Sequence, residues 1–156
     1  GLVKAVGVSN FNEANLKALI EKTAIVPAIN QVECHPLLSQ NELLEFCRKN
    51  NIVLEAYSPL GAQKSNEYIL KNPIIQTIAR RNRCTPAQVV LAWNLQRGIP
   101  VIPKSVHEER IRENYAALAV ELDEADGREI DALNENERFF DGTSFENAAK
   151  GYAAVF

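Results

Sequence analysis

The chain has 156 residues, is 46% hydrophobic and sets 17 basic against 20 acidic side chains, for a formal net charge of −3. That is enough apolar content for one globular domain with a core, and the lack of a basic excess excludes the electrostatic footprint of a nucleic-acid or acidic-membrane binder. Cys34, Cys47 and Cys84 are odd in number and form no CxxC pair, which argues for a reducing, cytoplasmic setting, and no run reaches the roughly 20 apolar residues of a membrane span.

Val3–Val8 is the first apolar run and predicts a buried strand; Asn12 then caps a helix over Glu13–Lys22, with Leu16, Leu19 and Ile20 on one stripe. Ala28–Glu33 predicts the second strand, and Ser39 with Glu42 forms a capping box ahead of Leu43, Leu44 and Phe46-Cys47. Ile52–Tyr57 predicts the third. Two helices follow, one opened by Asn72-Pro73 and one by Thr85-Pro86 with Gln88, the latter closed by Gly98. Arg80, Arg81 and Arg83 mark the end of the first of these as a solvated, dipole-matched terminus. Ile99–Ile102 predicts a fourth strand, after which Ser105 with Glu108, and Asp123 with Asp126, open the last helices. From about Asn134 the periodicity stops. The tail 134–156, with Phe139, Phe140, Phe145, Tyr152 and Phe156, is expected either to line an apolar site or to cap the core.

This alternation calls for a parallel sheet. Four strand–helix units suit half of an eight-stranded barrel or a small doubly wound sheet, and connectivity does not choose between them. The absence of methionine and the opening Gly1-Leu2-Val3-Lys4 lead us to expect a piece of a longer chain.

In such folds ligands meet the C-terminal ends of strands, and the four ends here all carry polar or aromatic groups. They are Ser9-Asn10, Gln31 to His35, Tyr57-Ser58-Pro59-Leu60-Gly61 and Pro103-Lys104-Ser105. Lys104-Ser105 lies between a strand and a helix start, where free amides and the helix dipole make an anion seat, and Arg110 beside His107 is placed to close on the same anion. An ordinary capped surface helix is the plainer alternative. Tyr57 suits stacking on a planar ring, or a place in the core. Ser9, Asn10 and Gln31 suit a carboxamide. Neither GxGxxG nor a P-loop is present, and Glu33-Cys34-His35 lacks the second cluster a metal needs, so His35 is expected to be satisfied by local backbone.

Five motifs in order carry a likeness: Gly7-Val8-Ser9-Asn10-Phe11, Asn30-Gln31-Val32-Glu33-Cys34-His35-Pro36, Ala56-Tyr57-Ser58-Pro59-Leu60-Gly61, Ile102-Pro103-Lys104-Ser105, and Arg110 with Glu113-Asn114. With that spacing the chain resembles the second half of the aldo-keto reductase (β/α)8 barrel, its strands 5–8, over nearly its whole length. The resemblance implies an α/β half barrel with a C-terminal tail and an NADP(H) site. It places the nicotinamide carboxamide on Ser9, Asn10 and Gln31, the ring on Tyr57 and the pyrophosphate along Ser58 and Leu60. It sets the adenosine 2′-phosphate among Lys104, Ser105, Val106 and Arg110, and the adenine by Glu113 and Asn114. His107 stands where the family often has a small polar residue, and the loop from Ala62 to Lys71 is shorter than in some relatives, implying a weaker strap.

The family's catalytic Asp, Tyr, Lys and His belong to the other half, so no catalytic residue is assigned here. The expectation is therefore the cofactor half of an enzyme reducing an aldehyde or ketone, inactive as a lone chain. A non-catalytic nucleotide-binding or structural barrel protein is the rival. A half barrel that pairs with itself, or with its missing half, is a third possibility, since open strand edges invite pairing.

Overall fold

The computed structural model describes residues 1–61 and 65–140. Three parallel strands, β1 (Gly7–Ser9), β2 (Ile29–Glu33) and β3 (Val53–Tyr57), form a sheet in the order β1-β2-β3. The helices are α1 (Glu13–Thr23), α2 (Asn41–Lys49), α3 (Ser65–Leu70), α4 (Pro73–Arg81), α5 (Pro86–Gln96), α6 (Glu108–Ala116) and α7 (Glu124–Asp131), with a 3-10 turn at Ala117–Ala119. Among the described residues no helix is long and apolar enough to cross a membrane.

The local signals act as expected at four helix starts, among them α7, where the Asp123 side chain accepts from Asp126 N–H at 2.8 Å. The side chain of Asn12 accepts from Asn15 N–H at 2.9 Å, that of Asn72 from Ile74 N–H at 2.9 Å, and Thr85 with Gln88 completes a reciprocal box at 3.2 and 3.0 Å. Two others differ. Gln40, in the left-handed region at φ 56°, caps α2, and its side chain reaches back to donate to the Glu33 carbonyl at 2.8 Å. The Ser39 hydroxyl is buried without a partner among the described residues, so the expected Ser39–Glu42 box does not form. Likewise α6 is capped by His107, and the Ser105 hydroxyl instead accepts from His107 N–H at 3.1 Å in a local turn.

Two strands are shorter than their apolar runs. Residues 3–6 lie outside β1, with Val3 69% and Val6 43% exposed, because pairing begins only where Val6 C=O accepts from Ala28 N–H. The run 99–102 makes a single parallel bridge, Val101 to Ala56, rather than a fourth strand. Ala56 N–H donates to Pro100 C=O at 2.8 Å and Ile102 N–H to Ala56 C=O at 3.2 Å. Extending that ladder toward Leu54 requires an N–H at position 100, which proline lacks.

The sheet has two unlike faces. Val32, Leu54 and Ala56 are buried beside Asn30, and with Leu16 of α1 and Leu44 and Cys47 of α2 they build one apolar core. A second core joins α4, α5 and α7 through Ile75, Ile78, Val89, Trp93 and Ile130. Trp93 Nε1 donates to Asp131 at 2.9 Å across it. The other sheet face carries Ile29, Gln31, Val53 and Glu55, and Val53 is 43% exposed. Among the described residues no helix covers that side; residues 138–140 cover only its C-terminal end, at Glu33 and Tyr57. Arg81, expected to end α4 in solvent, bonds Asp126 and Glu129 and so ties α4 to α7; Asn82 Nδ2 also donates to Asp126, at 2.8 Å.

Candidate functional site

Parallel register sets the first cluster. Ser9, Gln31 and Glu55 fall in one row across the three strands, with Glu33 opposite Tyr57 next to it. The Ser9 hydroxyl donates to Gln31 C=O at 2.9 Å, and the Gln31 side-chain amide donates to Glu55 at 2.7 Å. Asn10 turns the chain at φ 59°, a conformation that asparagine tolerates better than most residues, and its N–H donates to Gln31 C=O at 3.0 Å. The fully buried Asn30 holds the following loop by bonding both the N–H and the C=O of Phe11, at 3.3 and 2.8 Å. Asn30 and Glu55 were absent from the sequence-based set. Strand alternation marks Glu55, two residues before Tyr57, as facing the same side, but nothing in a single sequence assigns it a role.

Tyr57 is half-buried at the end of β3 rather than part of the core. Burial raises its phenol above the ordinary range, and the neighbouring Glu33 charge adds to this. Phe140 meets its ring edge-on, at a centroid distance of 5.6 Å and an angle of 78°. Beyond it Ser58 turns at φ 47°, and its C=O accepts from Gly61 N–H at 2.8 Å, closing a tight loop below Leu60.

The second cluster gathers at the start of α6. Lys104, Ser105, Val106, His107, Arg110, Glu113 and Asn114 line a cleft of about 500 Å³ together with Leu60. Eight of the thirteen sequence-nominated residues thus share one cavity. Of the rest, Ser9 and Asn10 lie at the end of β1, Tyr57 and Ser58 at the end of β3, and Gln31 midway along β2 in register with Ser9. Among the described residues neither Lys104 nor Arg110 enters an ion pair, and no side chain caps α6. Two cations and exposed helix amides therefore face the cleft uncommitted, which suits a phosphate. Sequence reasoning missed the opposite wall, made by Asn66, Leu70, Lys71, Gln76, Pro86 and Ala87. Asn66 shapes it by donating to Leu60 C=O at 2.9 Å, and Gln88 of α5 fixes α6 through Glu113 C=O at 3.1 Å. A larger hollow of about 810 Å³ by the starts of α1 and α2 shares only Asn10 with the nominated set.

His35 corrects another expectation. Its Nε2 bonds the Glu33 carboxylate at 3.0 Å rather than local backbone, and its ring stacks on Phe139 at 4.7 Å. The tail thus begins by packing on this histidine and on the second core. Phe145, Tyr152 and Phe156 lie outside the described residues, as do positions 62–64 of the expected strap.

The model of the aldo/keto reductase family matches residues 1–135. Among curated proteins, the chain is 45% identical to aldo-keto reductase family 1 member C15 of Rattus norvegicus, over 89% of this chain and 46% of that protein. It is 43% identical to prostaglandin F synthase 2 of Bos taurus, over 90% and 46%, and 41% identical to estradiol 17 beta-dehydrogenase 5 of Mus musculus, over 94% and 48%. The chain thus spans about half the length of the curated relatives it matches. Among solved structures, an aldo-keto reductase enzyme from a Medee basin deep-sea metagenome library superposes with a TM-score of 0.86 at 41% identity, covering 90% of this chain and 52% of that one. An aldo/keto reductase from Brucella melitensis gives 0.78 at 39%, over 85% and 48%.

Proposed function

The chain belongs to the aldo/keto reductase family, and on that footing we propose that it is the NADP(H)-binding half of a carbonyl-reducing (β/α)8 barrel. The observation that carries this reading is the convergence of Lys104, Ser105, Val106, His107, Arg110, Glu113 and Asn114 with Leu60 on one cleft. A 2′-phosphate needs positive charge and free donors, and Lys104, Arg110 and the start of α6 offer both. Glu113 and Asn114, one turn on, suit the polar edge of an adenine. From that anchor the pyrophosphate would pass the tight turn at Ser58 and Leu60. The nicotinamide would lie on the face of Tyr57, its carboxamide by Ser9, Asn10 and Gln31. Glu55 orients the Gln31 amide through their 2.7 Å bond, which presents its carbonyl oxygen to such a carboxamide.

When bound, the cofactor supplies the hydride, and this chain's residues bind and orient it. The groups that move the proton are assigned to the other half of the barrel, so the lone chain binds nucleotide without reducing carbonyls. That half would meet the chain at the β1 edge and on the sheet face carrying Val53 and Glu55. Titration of the 156-residue chain with NADPH and with adenosine 2′,5′-bisphosphate tests the reading. Saturable binding of both, with no aldehyde-dependent NADPH loss, is expected. Failure to bind the bisphosphate refutes the anion seat, and robust turnover refutes the division of labour.

A further inference from the structure

Glu33 ends β2 opposite Tyr57, and its side chain is fully buried. A carboxylate there is costly unless its oxygens are taken up. Four groups take them up. His35 Nε2 lies 3.0 Å and Phe139 N–H 2.8 Å from Oε1, while Phe140 N–H lies 3.2 Å and Arg138 Nη1 3.7 Å from Oε2. Three of these belong to residues 138–140, more than 100 positions along the chain. The stretch leading to them is pinned to the loop after β2. Ser39 N–H donates to the Asn134 side chain at 2.9 Å, and Glu135 and Glu137 N–H both donate to Leu37 C=O.

Filling this space does not call for a charge, because the His35–Phe139 stack would pack as well on an apolar neighbour. What the carboxylate adds is direction. By accepting two consecutive amides it fixes the backbone of Phe139 and Phe140, and that backbone sets the Phe140 ring in its T-shaped contact with Tyr57. Burial works to raise this carboxyl, and the bonds from His35, Phe139 and Phe140 outweigh it, so the charged form persists through the neutral range.

We propose that Glu33 is a positioning residue for the ring-binding end of the proposed cofactor site, holding residues 138–140 so that Phe140 keeps Tyr57 oriented for a nicotinamide. This rests on the cofactor reading above, and the test separates the two. NADPH spans both ends of the site, whereas adenosine 2′,5′-bisphosphate reaches only the anchor at Lys104 and Arg110. Calorimetric titration of the full chain with each ligand is paired with hydrogen exchange at the Phe139 and Phe140 amides. Glu33→Gln should speed that exchange and weaken NADPH about fivefold, the scale of one lost aromatic contact, while leaving the bisphosphate unchanged. Phe140→Ala should give a similar selective loss, and the double variant should be no worse than either. If Glu33→Gln does not fold, Phe140→Ala carries the same discrimination from a half-buried position. Equal losses for both ligands, or unchanged NADPH affinity with faster exchange, would overturn the positioning role. Unchanged exchange would show that Glu33 does not hold the segment, which overturns it too. If the wild-type chain binds the bisphosphate but NADPH no more tightly, the positioning role alone falls; if it binds neither, the cofactor reading falls and takes this role with it.

Discussion

Removing Arg110 should separate NADP from NAD, because the two differ only in the 2′-phosphate that Arg110 is proposed to meet. Arg110 is exposed at the mouth of the cleft and enters no ion pair among the described residues, so binding breaks no existing contact. Exposure also keeps the local dielectric high. Two unit charges about 4 Å apart in water attract by about 1 kcal/mol, and a phosphate monoester carries roughly 1.5 to 2 charges, giving about 1.8 kcal/mol at low salt. That is about a 20-fold loss of NADPH affinity for Arg110→Ala. At 0.15 M salt, with a screening length of about 8 Å, the figure falls to about 1.1 kcal/mol, or about sixfold. NADH binding should not change. Calorimetric titration of both cofactors at two salt concentrations checks every part of the estimate. Equal losses for NADPH and NADH, or a loss indifferent to salt, would refute the 2′-phosphate role.

Leu54→Ala, in the buried sheet face, should cost about 2–5 kcal/mol in urea unfolding, whereas Val53→Ala on the exposed face should cost under about 1 kcal/mol; the reverse order would contradict a sheet covered on one side. Hydrogen bonds from His35, Phe139 and Phe140 hold the Glu33 carboxyl below its ordinary 4.5 against the opposing effect of burial, so its contribution is complete above that pH and fades as pH falls through the folded value. Measured against Glu33→Gln, the wild-type stability advantage should therefore shrink below about pH 4.5, and a pH-independent gap would deny the link. Burial raises all three thiols, Cys34 to about 11, but only Cys84 is half-exposed, so an aromatic disulfide reagent at neutral pH should label Cys84 first. Prior labelling of Cys34, read by mass spectrometry, would count against that burial. Asp126→Ala removes the group that Arg81 and Asn82 share and should lower the midpoint of urea unfolding, and an unchanged midpoint would show that this tie between α4 and α7 adds no stability.

Local rules account for much of this molecule. Asn12, Asn72, Thr85 and Asp123 cap the helices their positions announced, because a side-chain oxygen that reaches an amide two or three residues on depends on no distant partner. Of the thirteen residues that the family resemblance implies for one nucleotide, Leu60 and seven between Lys104 and Asn114 line one cavity. Ser39, by contrast, has the local pattern of a cap, yet Gln40 takes the capping position and uses its side chain to bond β2, a choice made by a contact seven residues away.

Membership of the family, the parallel βα alternation and the residue types lining the cleft at α6 were thus already determined by sequence alone, since each depends on residue type and spacing along the chain. Only the tertiary structure decided how far the strands run, because a ladder needs a donor from its neighbour and Pro100 withholds one. It also decided the fate of Glu33, a charge whose partners at 138–140 lie across more than 100 residues and come within hydrogen-bond reach only when the chain folds back over β2.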